Sequence, residues 1–315
     1  MKINSALTRW VTFCALALSL MVVSGAAISA PLSKPISKTI SKTISKTISK
    51  TKTLVFSAIP DQDKSRLTQR FGQVADYLTQ QLGVPVAYVP VNSYAAAITA
   101  FRNNQVQLAW FGGLSGVRAR LRVAGSEAIA QGVEDTQFET YFIAHHSTGL
   151  KPSDRFPREI AGKSFTFGSK GSTSGRLMPE FFIREHLGKA PKDAFAQVGF
   201  SGNHSRTIAL VQTGAYLVGA TNYKVWEKEL AAGKIDTDKV SVIWKTPSYP
   251  DYQWTIRGDV DSVWGEGFKA RVKKALLDMK DPALLDAFPR RGFISADNDD
   301  YQPILDTAKK IGLID

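Results

Sequence analysis

Cysteine is all but missing from this chain. The only one among 315 residues is Cys14, and it falls inside an apolar stretch near the N-terminus. With that stretch set aside, no disulfide, thiolate nucleophile or zinc-thiolate centre can be built. Long apolar runs are equally scarce. Trp10 to Val23 is the one candidate, and it is shorter than the roughly 20 residues a membrane-spanning helix needs. Acidic residues are absent from 1–53, where eight Lys/Arg stand alone; the rest of the chain holds 32 basic and 28 acidic residues. The formal charge of +12 therefore shrinks to +4 over 54–315, which removes the basic surface that a nucleic-acid partner needs. There is no Walker A spacing and no Ser/His/Asp order with a nucleophile elbow. His145 and His146 are adjacent, so their side chains diverge, and His186 has no carboxylate at metal spacing. Neither a metal nor a cofactor is expected.

What is present at the N-terminus reads as an export signal. Lys2 and Arg9 precede the apolar run, and small residues from Ser24 to Ala30 offer cleavage points. Ser24-Gly25-Ala26 followed by Ala27 fits the small-x-small rule better than Ala30, which precedes Pro31. Val11-Thr12-Phe13 does not supply the Leu-x-small stretch that would make Cys14 a lipid-attachment site. Residues 1–30 are thus expected to be a signal peptide, and the mature chain periplasmic. Residues 31–53 repeat Ile-Ser-Lys-Thr, a period too short for a solenoid unit, and read as a basic, solvated linker.

From Leu54 onward, short apolar strands alternate with helical periodicity. Leu54–Ile59 ends at Pro60; Asp63 is placed to cap a helix with Leu67, Phe71, Val74, Leu78 and Leu82 on one face. Strands at 84–91, 106–111 and 141–144 and helices at 94–101 and 114–122 complete a first series. A second runs through strands at 163–167, 196–199, 215–220, 240–244 and 253–257, with helices at 177–187, 205–212 and 223–232. Phe268, Val272, Ala275 and Leu276 mark a C-terminal helix. Trp226, Trp244, Trp254 and Trp264 read as packing residues. Such alternation predicts two α/β lobes, each a mostly parallel sheet flanked by helices. The boundaries are 54–144 plus 253–315 for lobe 1 and 145–252 for lobe 2, with crossings near 141–147 and 248–256.

Three helix starts follow small, polar residues. Gly168 to Gly175 is a Gly/Ser/Thr loop leading to Arg176; Asn92-Ser93-Tyr94 opens a second helix and Phe111-Gly112-Gly113-Leu114-Ser115 a third. Free amides and the partial positive charge of a helix N-terminus suit a tetrahedral oxyanion. Ordinary helix capping uses the same residues. Ligands in open α/β sheets sit beyond the carboxyl ends of strands, where these starts gather.

Residues 54–257 resemble the phosphate/phosphite/phosphonate-binding proteins of ABC importers, within the type II periplasmic binding protein superfamily. The resemblance is carried by SYAAAITAFRNNQVQLAWFGGLSG (93–116), FTFGSKGSTSG (165–175), Gly202-Asn203-His204, GATN (219–222) and VIWKTPSYPD (242–251). FSAIPDQD (56–63) and AWFGGLSG are similar to a subgroup described as selenate-binding. The resemblance implies a ligand in the cleft between the lobes. It implies contacts from Tyr94, Ser172, Thr173, Ser174 and His204, with Asp251 nearby, and brings Phe111, Gly112 and Asn222 into the ligand-binding set. Phe111 stands where the family often has a cleft tyrosine. Tyr223-Lys224-Val225 lacks the glutamate with which aminophosphonate binders meet an ammonium group, which argues against aminoethylphosphonate. Asp251 would repel a bound oxyanion unless the anion carries a proton, favouring a phosphorus oxyanion or selenite over selenate if its side chain reaches the ligand.

The function expected is therefore non-enzymatic: a monomeric binding component handing a small tetrahedral oxyanion to an inner-membrane permease and its cytoplasmic ATPase. Two rivals stay open at this point, a selenate- or selenite-type binder of the same fold and a periplasmic sensor feeding a receptor kinase. A third, a hydrolase or transferase using His204, requires turnover of an ester.

Overall fold

A computed structural model of the chain describes residues 52–62 and 64–314. The export segment 1–30, Cys14, nearly all of the linker and Asp63 lie outside the described residues. Residues 50–315 belong to one compact unit, within which two sheets mark two lobes.

Lobe 1 contains strands β1 (Leu54–Ala58), β2 (Val86–Tyr88), β3 (Leu108–Phe111), β4 (Glu127–Gly132), β10 (Gln253–Ile256) and β11 (Phe293–Ser295), in the order β11-β4-β10-β3-β1-β2. Lobe 2 contains β5 (Thr140–His145), β6 (Ser164–Phe167), β7 (Gln197–Phe200), β8 (Val218–Asn222) and β9 (Val240–Lys245), in the order β7-β6-β8-β5-β9. Two α/β lobes are as expected, and each sheet is mixed, with most of its strands running in one direction. β1 pairs parallel with β2 and β3, but β10 runs antiparallel to β3 and β4. β6 pairs parallel with β7 and β8, but β5 runs antiparallel to β8 and β9. The reason lies in the crossings. β5 and β10 arrive from the other lobe, begin at the cleft and run away from it, and the short edge strand β11 also runs antiparallel to β4.

The first crossing also falls earlier than expected. Strand 140–145 pairs wholly inside the second sheet, so the chain crosses through 133–139 and returns through 246–252. The two crossing segments are joined to each other. Phe138 N donates to Tyr249 O at 2.8 Å and Tyr249 N to Phe138 O at 3.0 Å. Beside them the Arg290 guanidinium forms a bidentate pair with Asp135, both bonds 2.7 Å, and faces the rings of Phe138 and Tyr252.

Periodicity accounts for the main elements. Helix α1 (Lys64–Leu82) buries Leu67, Phe71, Val74, Leu78 and Leu82, the face foreseen from their spacing. β5 sends Phe142 and Ala144 into one core with Phe165, Phe167 and Trp244, and Tyr141 and Ile143 into another with Ile208, Val211 and Trp226, as a period of two requires. In lobe 1, Phe56, Trp110, Trp254 and Phe288 form a cluster of edge-to-face and tilted rings. Each such ring, fully buried, contributes about 1.5–3 kcal/mol.

Candidate functional site

Side chains capping their own helices fix the geometry of the cleft. Ser93 Oγ accepts from Ala96 N at 3.0 Å and starts α2 (Tyr94–Arg102), which puts Tyr94 on the first turn. In lobe 2, Ser172 Oγ accepts from Gly175 N at 2.9 Å, capping the π-helical turn Thr173–Leu177 that leads into α4 (Met178–Leu187). Gly175 is closely packed: a Cβ there would lie 3.1 Å from both Gly168 Cα and His204 Cε1. Asn203 Oδ1 accepts from Arg206 N at 2.8 Å and starts α5 (His204–Gln212). Asn222 Oδ1 does the same for Val225 N at 3.1 Å, at the start of α6 (Tyr223–Ala231).

The helix start at Gly112 behaves differently. Its first two amides, on α3 (Gly113–Arg120), are already taken. Gly113 N donates to Asp251 Oδ1 at 2.9 Å and Leu114 N to Thr173 Oγ1 at 3.0 Å. The second bond ties lobe 1 to lobe 2, so the cleft is closed. Gly112 is glycine because a Cβ would meet Asp251 Oδ1 at 3.1 Å and Thr173 Oγ1 at 3.3 Å. Another tie crosses the cleft where His204 N donates to Asp61 O at 3.0 Å.

His204 is fully buried, and burial pushes its imidazole down to about 3, so the ring is neutral near pH 7. Its Nδ1 accepts from Asn222 N at 3.2 Å, which leaves the proton on Nε2. That Nε2–H has no partner. Tyr94 Oη and Ser174 Oγ are buried hydroxyls, also without partners, and Asp251 Oδ2 is a buried acceptor without one. Three donors and one acceptor are thus held out of water and unpaired, at a cost of about 1–3 kcal/mol each. They share neighbours: Gly175 touches Ser172 and His204, while Tyr94 feels the charges of Asp61 and Asp251 and lies close to Ser172 and Tyr252. Burial raises the Asp251 carboxyl to about 7 and that of Asp61 to about 6.

Of the residues expected from sequence, Tyr94, Ser172, Thr173, Ser174, His204, Asn222 and Asp251 come together with the backbone of Gly112. Thr173 and Asn222 act as clamps; Asn222 Nδ2 donates to Tyr252 Oη at 2.9 Å. Phe111 is turned away, with its ring edge-to-face on Phe101 at 5.7 Å in the lobe 1 core. Sequence reasoning missed Asp61 and Tyr252, joined by a 2.8 Å hydrogen bond from Tyr252 Oη to Asp61 Oδ2. It also missed the Arg290–Asp135 pair beside them. Asp61 was signalled only by its place just beyond the end of β1, where cleft residues gather. His186 stacks on Phe156, and no cluster of three or more metal-ligating side chains exists among the described residues.

A family model described as ABC transporter, phosphonate, periplasmic substrate-binding protein matches residues 56–301. The chain belongs to this family. A relative named "Probable ABC transporter phosphite binding protein PhnD1", from Prochlorococcus marinus (strain MIT 9301), is 39% identical over 270 residues, covering 84% of this chain and 91% of that protein. The structure of PhnD1 in complex with methylphosphonate matches with a TM-score of 0.78, over 84% of this chain and 99% of that one. A binding protein component of an ABC phosphonate transporter from Pseudomonas aeruginosa has the same fold, with a TM-score of 0.71 at 21% identity, over 82% of this chain and 85% of that one. As a member of the periplasmic phosphonate-binding family, the protein is the substrate-binding component of an ABC transporter, a role that implies a permease and an ATPase as partners. Its relatives are substrate-binding transport proteins rather than enzymes.

Proposed function

We propose that the protein captures a compact phosphorus oxyanion bearing one proton, such as methylphosphonate or phosphite, in the cage of Tyr94, Ser172, Ser174, His204 and Asp251. The observation that carries this reading is the set of unpaired atoms: three neutral donors beside one carboxyl oxygen. A P–OH group donates to Asp251 while the remaining oxygens accept from Tyr94, Ser174 and His204. No fixed negative charge is then left facing another, the arrangement that penalises fully deprotonated anions. PhnD1 binds methylphosphonate, and the similarity of the two chains supports the same ligand class here. Compactness is supported by Tyr223-Lys224-Val225, which offers no carboxylate to pair with an aminoethyl tail. Four charge-assisted hydrogen bonds at about 1.5–3 kcal/mol each suffice for binding in the micromolar range or tighter.

In this reading 1–30 directs export, with cleavage among Ser24–Ala30. The mature protein acts as a monomer, closing on its ligand because contacts from both lobes favour the closed form only when the anion is present. The raised Asp251 carboxyl also favours one alternative, since a protonated Asp251 can itself donate to selenate. Calorimetric titration of the mature chain with phosphate, phosphite, methylphosphonate, aminoethylphosphonate, sulfate, selenate and selenite tests the reading. Methylphosphonate or phosphite is expected to bind tightest. Tight selenate binding with no phosphorus ligand overturns it.

A further inference from the structure

The closed cage presents a problem for the anion it would hold. Two carboxyls, Asp61 and Asp251, border it, its unpaired donors are neutral, and the nearby Arg290 is already paired with Asp135. Nothing inside draws an anion from a distance. A groove of about 610 Å³ lies directly outside, lined from lobe 1 by Tyr94, Arg102, Arg118 and Arg122 and from lobe 2 by Lys170 and Gly171. Gly171 lies close against Tyr94 where the lobes meet, since a Cβ on it would fall 3.0 Å from Tyr94 Cβ, so Tyr94 belongs to both the groove and the cage. No residue of the crossing segments lines the groove, which makes it the mouth of the cleft rather than its hinge side.

Four cations face this groove, and the described residues lining it include no Asp or Glu. Arg102, Arg122 and Lys170 are exposed; Lys170 Nζ is 5.3 Å from the Phe200 ring centroid, and Arg118 donates to Leu313 O at 2.7 Å. The charges are close enough to oppose one another across the cleft. Besides burial, Arg122 and lobe 2's Arg176 push the Arg118 guanidinium below its ordinary range. Exposed, hydrated cations hold a ligand poorly one by one, but their summed field reaches about 10 Å at 0.1 M ionic strength and acts on encounter.

We propose that the rim formed by Arg102, Arg118, Arg122 and Lys170 is an electrostatic docking site that concentrates small phosphorus oxyanions at the mouth and passes them to the neutral cage. The rim sets the rate of association; the cage sets the rate of release. This rests on the ligand reading above, and the test separates the two. Stopped-flow association of methylphosphonate and of phosphite is measured for the native mature chain and for the Arg102→Gln/Arg122→Gln/Lys170→Gln variant, which leaves every cage residue and the Arg118 bond in place. At low ionic strength the variant's association rate is expected to fall about tenfold, with its dissociation rate unchanged, and the difference is expected to close as salt approaches about 1 M. Equal association rates at low salt, a deficit that persists at high salt, or a change confined to dissociation each overturn the proposal while leaving the cage intact. Failure of the native chain to bind either anion overturns the ligand reading and this inference with it.

Discussion

The helix start at Gly112 and the turn at Ser172–Ser174 read alike in sequence, each a stretch of small residues between a strand and a helix, yet they end in opposite roles. The start at Gly112 gives its first amides to Asp251 and Thr173 and so fastens the closed cleft. The turn keeps Ser174 Oγ unpaired, and His204, whose ring lies against Gly175, keeps its Nε2 unpaired. Small residues before a helix therefore mark a place where an anion could be met; what decides the matter is whether the protein has already supplied a partner. At Gly112 the partner is a carboxylate of the same chain.

The comparison breaks first at the unpaired atoms. Ser174→Ala with His204→Ala removes two donors worth about 1.5–3 kcal/mol each to an anion. Calorimetry is expected to show at least a hundredfold loss of affinity for methylphosphonate. The ligand-free melting temperature should hold or rise for Ser174→Ala alone, because its hydroxyl has no protein partner; His204 Nδ1 accepts from Asn222 N, so His204→Ala lowers it. Unchanged affinity in Ser174→Ala with a lower melting temperature would show that Ser174 serves the fold instead.

A second effect separates the charges by pH. Asp251 and Asp61 have raised folded-state values, so their contribution to stability is full at low pH and is lost as pH rises toward about 7 and about 6. His204, lowered to about 3, does the reverse: its contribution is full above 6.5 and is lost as pH falls. Thermal denaturation at pH 5 and pH 8 should show Asp251→Asn gaining on the native chain at pH 8, by about 2 kcal/mol more than at pH 5. His204→Gln should gain more at pH 5. Matching gains at both pH values would mean that neither group is held in the closed interior.

The smallest effect tests the fastening side. Thr173→Val removes the acceptor of Leu114 N across the cleft without touching an unpaired donor. It is expected to weaken binding by about 1 kcal/mol, roughly fivefold, mainly through a less stable closed form. A loss as large as that of the Ser174/His204 pair would place Thr173 on the ligand instead.

Much of this was legible before folding because periodicity is a local property. The faces of α1 and β5, the helix start at Asn92-Ser93-Tyr94, and the gathering of small-residue turns at strand ends all follow from neighbours in sequence. β4 escaped notice because Glu127–Gly132 is alanine-rich, with Ile129 its only β-branched residue, and β11 is three residues long. The antiparallel strands β5, β10 and β11 have no local signature, because direction depends on where a strand enters its sheet. Asp61 and Tyr252 are separated by 191 positions, and Arg290 and Asp135 by 155; no local pattern brings such pairs together. Phe111 was drawn into the site by its neighbours in the motif, whereas strand alternation turns its ring to Phe101.

The backbone bridge between Phe138 and Tyr249 has a mechanical consequence. Two ribbons stitched side by side cannot swivel independently, so the halves of the molecule swing as book covers do, about a single spine. Opening and shutting then follow one arc, and a membrane partner that recognises the shut book has one angle to read.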